Sequence, residues 1–384
     1  MAAPFRFLAC DWMTGSVMAE LPLVLGNFER RLNGTGLFSA ELPLGDPGLA
    51  SLDPFTSTQP GRTHLYADLD GTLVGAWMIW ARRYDSKTKR MQLQGSETMS
   101  YWAHRVWQTS YGTYTYTAID QGAIVSDLMT RSLADTGGQP ANFTLNINTT
   151  TGITRTATYN PWELRQVLSE IQTYGAMDQG FDWATDVAYV SGVPTTTFTL
   201  SYPRRGLTAD NSGLMFELGS NILSYVWPED GASSANRCWG IGAGSGSTTL
   251  VSADSATPLF TTGGFPLLER VGSYKAVTDQ PALDAKVVQD LVTYQNDSMA
   301  PPLKKWHGTG LIVPSVEVLV DADPILGTYT VGDEIRLRIT DERFPATGLS
   351  GAGIDCQYRI VGITIKPGDQ GTPSTSTLAL GPAL

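Results

Sequence analysis

Two aspartates one residue apart, Asp68 and Asp70, have the spacing that most suggests chemistry in this sequence. They lie in the run Leu65-Tyr66-Ala67-Asp68-Leu69-Asp70-Gly71-Thr72-Leu73-Val74. A pair of carboxylates in this pattern can perform phosphoryl transfer, with Asp68 as the nucleophile, Asp70 as the general acid and a magnesium ion between them. The same residues can instead form a tight turn, and the two interpretations exclude each other.

The turn interpretation depends on Asp70 and Gly71. A two-residue type I′ turn needs positive φ at both central positions, and Asp-Gly is a pair that adopts this conformation readily. The resulting β-hairpin predicts an apolar face in which three pairs oppose each other: Leu69 with Thr72, Ala67 with Val74, and Leu65 with Ala76. The other face would carry His64, Tyr66 and Asp68, and the returning strand would continue through Trp77-Met78-Ile79-Trp80.

The rest of the sequence favours the hairpin. The string resembles the first motif of the haloacid-dehalogenase phosphatases, which need a parallel sheet with a helix after nearly every strand. The sequence predicts about three convincing helices. A later acidic pair should also complete the magnesium site, and the candidates are Glu229-Asp230, Asp333-Glu334 and Asp341-Glu342. The first two pairs stand in turn-like sequence, and the third follows an alternating, half-exposed strand rather than a buried parallel one.

Other chemically capable residues are few. The three histidines, His64, His104 and His307, have no two-histidine metal spacing and no neighbouring serine elbow. The run Gly240–Gly246 is not a Gly-x-Gly-x-x-Gly loop, and it predicts a strand end that leads into a flexible loop. The patch Lys304-Lys305-Trp306-His307 indicates a solvated face, with a phosphate or partner contact as the alternative. We therefore predict no catalytic residue, no cofactor and no metal site.

Composition narrows the class of protein. The chain has 384 residues, 40 Gly, 15 Tyr and 10 Trp, which favours β structure with many turns. Only 16% of the residues are charged, which predicts surfaces that oligomer contacts cover. The net charge of −11 argues against a nucleic-acid-binding surface. Cys10, Cys238 and Cys356 show neither a metal spacing nor a disulfide pattern. Neither a signal peptide nor a membrane-spanning run is expected.

The pattern of elements predicts a mainly β protein with an α/β insert. We expect a first β-barrel domain over 1–115, an α/β insert over 116–195, and a mixed, loop-rich region with one helix over 196–310. A second β-barrel domain is expected over 311–384, with strands from 196–230 as candidates to complete it. The two small barrels would flank the mixed α+β middle.

Three helices are expected, and each has its own sequence signals. Asp120 is expected to cap a helix over about 121–135, and a third helix fits about 281–295. The second helix shows a stronger start signal, with Asn160 as N-cap, Pro161 at the first helical position and Glu163 completing a capping box. Its apolar stripe would be Leu164, Val167, Leu168 and Ile171, and Gly175 would end it.

The order of several short motifs resembles the minor tail proteins of long-tailed actinobacterial phages. The opening run is Phe5-Arg6-Phe7-Leu8-Ala9-Cys10-Asp11-Trp12-Met13-Thr14-Gly15-Ser16-Val17-Met18-Ala19-Glu20-Leu21-Pro22-Leu23. It is followed by Arg31-Leu32-Asn33-Gly34-Thr35-Gly36 and Phe38–Asp46, then by Trp77–Glu97, Gly180-Phe181-Asp182-Trp183, Tyr202-Pro203-Arg204 and Ile360–Leu380. The similarity spans nearly the whole chain, and residues 231–275 match least.

This resemblance is to the hub, or tail-tip, family, and it implies a structural role. It implies a homotrimer whose six barrels dock onto the six-fold tail tube and form part of the channel for tape-measure protein and DNA. The implied partners are the distal tail protein ring, the tape-measure protein and downstream tip or fibre proteins, with DNA passing without specific binding. The protein would be assembled in the host cytoplasm and lie at the tail tip of the virion. The alternative class is a tail-associated, cell-wall-degrading hydrolase.

A channel wall that DNA passes should be acidic or neutral, because each phosphate contact with Lys or Arg adds affinity that must be lost again. We expect Tyr66, Asp68 and Glu334 at this wall. The basic clusters should lie away from it, at subunit or neighbour contacts; they are Arg82-Arg83, Lys87 to Arg90 and Lys304-Lys305.

Overall fold

The computed structural model describes residues 5–45, 47–135, 137–147, 150–177, 179–228, 234–275, 277–294, 314–346, 353–368 and 372–383. The protein is mainly β, as the sequence predicts. The chain forms two compact units, and each unit is built from segments that are separated in the sequence. The first unit comprises Met1–Ser224, Val316–Arg336 and Arg359–Ala379, and the second comprises Tyr225–Ser315, Leu337–Tyr358 and Leu380–Leu384.

The strands are numbered here in chain order. The strands up to residue 226 are β1 Phe5–Asp11, β2 Val17–Glu20, β3 Val24–Arg31, β4 Leu37–Pro43, β5 Thr63–Leu69, β6 Thr72–Asp85, β7 Arg90–Glu97, β8 Tyr114–Asp120, β9 Phe143–Asn146, β10 Thr154–Tyr159, β11 Asp182–Val190, β12 Val193–Ser201, β13 Met215–Glu217 and β14 Ile222–Val226. The later strands are β15 Arg237–Ile241, β16 Val251–Ser255, β17 Glu269–Ser273, β18 Ser315–Leu319, β19 Glu334–Ile339, β20 Ile354–Lys366 and β21 Thr375–Pro382.

The α-helices are α1 Pro54–Ser57, α2 Gln121–Ala134, α3 Val167–Ala176, α4 Ala209–Ser212, α5 Thr257–Thr261 and α6 Gln280–Tyr294. Short 3-10 helices cover Pro47–Leu52, Thr98–His104, Thr109–Tyr111, Pro161–Glu163 and Gly246–Thr248. Within the described residues, no helix is both long enough and apolar enough to cross a membrane.

One large sheet contains most strands of the first unit. Its order is β14-β18-β21-β20-β3-β4-β7-β6-β5-β1-β2, and β19 pairs with both β13 and β20. Strands from the two ends of the chain therefore meet, since β20 pairs antiparallel with β3 through Gly362–Ile365 and Phe28–Arg31. The sequence predicts two separate barrels, but the described strands form several sheets and close no barrel.

The Asp70-Gly71 segment forms the tip of the β5–β6 hairpin. Asp70 has φ 50° and Gly71 has φ 85°, and Leu69 pairs with Thr72 across the turn. A bulge between Ala67 and Asp68 then shifts the register by one residue. The predicted pairing is therefore wrong beyond the turn: Ala67 opposes Gly75 instead of Val74, and Leu65 opposes Trp77 instead of Ala76.

The α/β part of the first unit has its own apolar core. Helices α2 and α3 pack together, and β10 pairs with β8 while β9, β12 and β11 form a second small sheet. The buried side chains that they share include Trp102, Trp107, Ile124, Leu128, Ile171, Trp183 and Phe198. Asp120 caps α2 by accepting from the amides of Gly122 and Ala123, as the sequence predicts.

The predicted start of α3 is wrong. Pro161–Glu163 forms a separate 3-10 turn, Leu164 turns the chain away with φ 47°, and the helix begins only at Val167. No capping box forms, because the Asn160 side chain donates from Nδ2 to Oε1 of Glu163 at 3.1 Å. Leu164, assigned to the apolar stripe, is exposed instead.

The second unit contains the three-stranded sheet β16-β15-β17 with α6 on one face. Cys238 of β15 packs there against Val287 and Leu291 of α6. Gly240 lies so close to the helix that an added Cβ would meet Val287 at 2.4 Å. The first residues of the glycine-rich run 240–246 end β15, as expected. Gly240 allows the sheet to pack closely against α6, and the later glycines lie in the turn that follows the strand.

A buried ionic network as the candidate functional site

Asp68 is not placed for catalysis. Its side chain is 1% exposed, and it accepts a hydrogen bond from the amide of Gly71 at 2.7 Å and another from the Tyr189 hydroxyl. Both carboxylate oxygens are thus occupied by the turn and by β11, while Asp70 stands exposed at the tip of the hairpin. The pair serves the fold of the hairpin.

The histidines also have structural surroundings. His64 is buried, its Nε2 lies 2.8 Å from the Thr98 hydroxyl, and burial lowers its pKa to about 3, so the ring is neutral. The His104 ring lies 4.5 Å from the Trp80 ring. His307 and the basic patch at Lys304-Lys305 lie outside the described residues.

The side chains predicted at a channel wall are buried within the first unit, so this expectation is wrong. Tyr66 is fully buried and accepts a hydrogen bond from the Thr196 hydroxyl at 3.1 Å. Glu334 is 3% exposed, forms an ion pair with Arg204 and accepts a hydrogen bond from the amide of Ala209 at 3.1 Å. Two arginines of the predicted basic clusters bind within the chain: the half-buried Arg82 donates to the Phe55 carbonyl, and the exposed Arg90 pairs with Glu41.

The strongest concentration of ionisable groups is a buried network around Asp182, at the start of β11. Oδ1 of Asp182 accepts from Asn33 Nδ2 at 2.7 Å. Oδ2 accepts from the amide of Arg205 at 2.9 Å and from Arg359 Nη2 at 2.5 Å. Because the Asp182 and Arg359 side chains are only 11% and 7% exposed, this ion pair is shielded from water.

Arg359 and Arg205 extend the network to carbonyl oxygens. Arg359 donates to the Gly332 carbonyl at 2.9 Å and to the Arg205 carbonyl at 2.6 Å. Arg205 donates to the Val331 carbonyl at 3.0 Å and forms a two-pronged ion pair with Asp186. The arginines therefore tie the turn after β12 to the turn before β19 and to β20.

Asp186 remains ionised in this arrangement. Burial by itself disfavours its charged form, but the charge and hydrogen bonds of Arg205 outweigh burial, and the pKa is lowered. The Thr199 hydroxyl adds a hydrogen bond at 2.7 Å. A carboxylate held by two N–H donors and a hydroxyl has its acceptor capacity largely used.

Close backbone approach requires glycine beside the network. Gly206 has φ 89°, and an added Cβ there would lie 2.2 Å from the carbonyl carbon of Gly332. Gly332 has φ 103° and faces Arg205 in turn. The two glycines let the turns approach closely enough for the arginines to reach their carbonyl partners.

A third carboxylate, Glu97, holds the turn between β3 and β4. Its Oε2 accepts from the amides of Arg31 at 2.9 Å and Gly36 at 2.7 Å. Burial raises the pKa of Glu97 to about 7, opposed by the nearby charge of Arg30 and by the two amides. Burial in turn lowers the pKa of Arg30, which donates to the carbonyls of Val74 and Thr185.

Asn33 links the same turn to β11 through hydrogen bonds. It adopts φ 56°, its amide donates to the Trp183 carbonyl at 3.0 Å, and its Oδ1 accepts from the Trp183 amide at 2.7 Å. Three of the motifs that carry the family resemblance thus meet here: the Asn33 segment, Asp182-Trp183 and the turn at Tyr202-Pro203-Arg204. Sequence reasoning found these motifs but missed Glu97, Arg205 and Arg359, because their partners lie far away in sequence.

The described residues contain no group of three or more His, Cys, Asp or Glu that could hold a metal ion. A surface cavity of about 390 Å³ lies along α2. Two of its acidic lining residues are already engaged, Asp120 as the helix cap and Asp127 with the Tyr116 hydroxyl and Arg131. The chemistry of the buried network is that of a structural clamp, with donors and acceptors matched inside the fold.

Two of the solved structures with similar folds are tail proteins. The tail protein from Neisseria meningitidis MC58 aligns with TM-score 0.56 at 13% identity, over 97% of this chain and 96% of that chain. The 43 kDa tail protein of prophage MuSo2 from Shewanella oneidensis aligns with TM-score 0.59 at 12% identity, over 99% of this chain and 96% of that chain.

A chain of the half-lidded Francisella PdpA–VgrG complex aligns with TM-score 0.52 at 9% identity, over 98% of this chain and 57% of that chain. No protein-family model matches the sequence, and a search of curated proteins finds no match. The chain therefore shares its fold with the two tail proteins over nearly its full length.

Proposed function

We propose that this protein is a structural component of a phage tail, a hub at the tail tip that assembles as a homotrimer. The observation that carries the proposal is the end-to-end match of fold with two tail proteins, which covers at least 96% of each chain. The order of motifs in the sequence supports the narrower assignment to minor tail proteins of long-tailed actinobacterial phages.

In this proposal the trimer adapts the six-fold tail tube to a three-fold tip. Residues 1–115 and 311–384 supply the ring-forming β parts, and 116–195 lies outside them and holds tip proteins. The partners are the distal tail protein ring, the tape-measure protein and downstream tip or fibre proteins. Assembly takes place in the host cytoplasm, and the finished protein is part of the virion.

A non-enzymatic role fits the chemistry of the network. Asp182, Asp186 and Glu97 each bind donors from the chain itself, so the acidic groups gathered in the first unit act on the fold. The proposed channel wall is acidic or neutral, which the net charge of −11 supports. Because Tyr66, Asp68 and Glu334 are buried, other side chains must form that wall.

The mass of the purified protein tests the proposal. Light scattering should give three chains per particle, either alone or after co-expression with the distal tail protein, and the complex should not retain DNA at physiological salt. A protein that stays monomeric in both preparations contradicts the trimer. Tight, salt-sensitive DNA binding by the trimer contradicts the neutral or acidic wall.

A further inference from the structure

The second unit presents an exposed sheet face whose residues take no part in the buried ionic network. In the sheet β16-β15-β17, alternate residues point toward α6, and the others point away from it. Pairing places the outward residues in three rows: Ser255, Arg237 and Glu269; Ala253, Trp239 and Val271; Val251, Ile241 and Ser273. We refer to these nine residues as the Trp239 face.

Trp239 lies at the centre of this face with its ring held in one orientation. Its Nε1 donates to Oε1 of Glu269 at 2.9 Å, and the side chain remains 36% exposed. The flanking aliphatic side chains Val251 and Val271 are 51% and 60% exposed. A partly exposed indole that is fixed by a hydrogen bond offers a preorganised stacking surface.

Polar groups stand at one end of the ring. Arg237 lies 3.5 Å from Glu269 Oε1, donates from Nε to the Ser255 hydroxyl at 3.1 Å, and lies over the Phe260 ring at 5.3 Å. This end therefore offers a carboxylate acceptor, guanidinium donors and a hydroxyl. The two charges cancel, and the other seven residues of the face are uncharged.

Size and charge together indicate the class of ligand. Three strands about 4.8 Å apart and five residues at about 3.3 Å each give a face on the order of 240 Å². A stable protein interface needs roughly 800 Å² per partner. The face is therefore too small to hold a folded protein by itself, and its lack of net charge selects against a nucleic acid or another polyanion.

We propose that the Trp239 face binds a short run of a neutral polysaccharide. A pyranose ring has one face of C–H groups, which carry slight positive charge and stack on the electron-rich face of an indole. Its hydroxyls at the ring edge both donate and accept, and they match the Glu269 carboxylate and the Arg237 guanidinium. The segment 231–275, which resembles the tail family least, would thus give this chain a contact with sugar chains.

Titration of the purified full-length protein with cellohexaose, maltohexaose and N-acetylchitohexaose tests this proposal. Isothermal titration and saturation-transfer NMR should show at least one of the three binding with a Kd of about 1 mM or tighter. Trp239→Ala should weaken that binding at least about tenfold, because it removes the stacking surface. Trp239→Phe should retain more binding than Trp239→Ala, and Glu269→Gln should weaken it to an intermediate degree.

Trp162→Ala is the matched control. Trp162 is 74% exposed in the first unit, so its loss should leave sugar binding unchanged if binding is local to the Trp239 face. Circular dichroism of each variant separates loss of binding from loss of fold. No binding of any of the three sugars up to about 10 mM overturns the proposal, as does wild-type affinity in Trp239→Ala.

Two further outcomes separate this proposal from its competitors. If Trp239→Ala instead abolishes association with a tail protein while no sugar binds, the face is a protein-docking site and the proposal is wrong. The proposed trimer and the proposed sugar contact rest on different observations. A monomer that binds sugar would contradict the proposed trimeric hub and support the sugar-binding proposal. A trimer that binds no sugar would support the hub and contradict the sugar-binding proposal.

Discussion

Removal of the Asp182 carboxylate should be the most damaging single substitution in the first unit. Asp182→Ala takes away the acceptor of Asn33, of the Arg205 amide and of Arg359. The main cost comes from Arg359, which keeps its charge in a site where it is 7% exposed. Breaking one side of a buried ion pair costs about 3–5 kcal/mol. For a domain of this size, the expected fall in Tm is roughly 6–20 °C.

Urea unfolding followed by tryptophan fluorescence measures the effect, with scanning calorimetry for Tm. Glu20→Ala is the control, because the Arg6–Glu20 pair is at 2.9 Å but both side chains are 51% exposed. An exposed pair of this kind contributes little to stability, because water and salt screen the two charges. If Asp182→Ala and Glu20→Ala destabilise the protein equally, the network is not the clamp described here.

A double variant separates the unpaired charge from the lost hydrogen bonds. In Asp182→Ala, the Arg359 guanidinium loses its carboxylate partner. Arg359→Met removes this unpaired charge and keeps much of the side-chain volume. The two substitutions together should therefore destabilise the protein less than the sum of the single effects, by about 1–3 kcal/mol. Strict additivity would mean that the two side chains do not depend on each other.

Three smaller perturbations test other parts of the first unit. Asp70→Asn should leave stability within about 0.5 kcal/mol, whereas Gly71→Val should cost about 1–3 kcal/mol because Gly71 has φ 85°; phosphatase activity that needs Mg²⁺ and is lost in Asp68→Asn would overturn this assignment. Gly206→Ala should cost roughly 2–5 kcal/mol, because its Cβ would meet backbone at 2.2 Å, and Gly213→Ala, with open space around it, about 1–2 kcal/mol; equal urea midpoints would contradict the close approach. Burial raises the pKa of Glu97 from 4.5 to about 7, so its protonated form is favoured in the fold, and this stabilisation is present below pH 4.5 and lost as pH rises through 7. Glu97→Gln should therefore gain stability relative to the wild type between those pH values, and a parallel pH dependence of the two unfolding midpoints would refute it.

Local sequence determines the elements whose interactions are between near neighbours. The turn at Asp70-Gly71 and the start of α2 at Asp120 each depend on a few adjacent residues and on intrinsic backbone preference. The mainly β composition likewise follows from residue types that suit pleated strands and turns. These features need no knowledge of distant partners, so the sequence is sufficient to predict them.

The errors occur where distant contacts override local preference. The bulge at Ala67 and Asp68 shifts the hairpin while Asp68 binds Tyr189, a residue of another strand. The Asn160 signal for a helix is overridden, since Leu164 adopts φ 47° and the segment 165–167 pairs with the segment 105–107. The capping pattern was present, but tertiary pairing decided where the helix begins.

The sequence by itself determined the class of fold, the turn chemistry and the set of motifs that matter. Only the tertiary structure decided that Asn33, Asp182 and Arg205 meet, with Arg359 contributing from near the other end of the chain. A buried charge is tolerable only when opposite charges and hydrogen-bond partners surround it, and here those partners are 23 to 177 positions away. The spacing of residues along the chain does not predict such pairs, because pairing between strands that are distant in sequence brings them together.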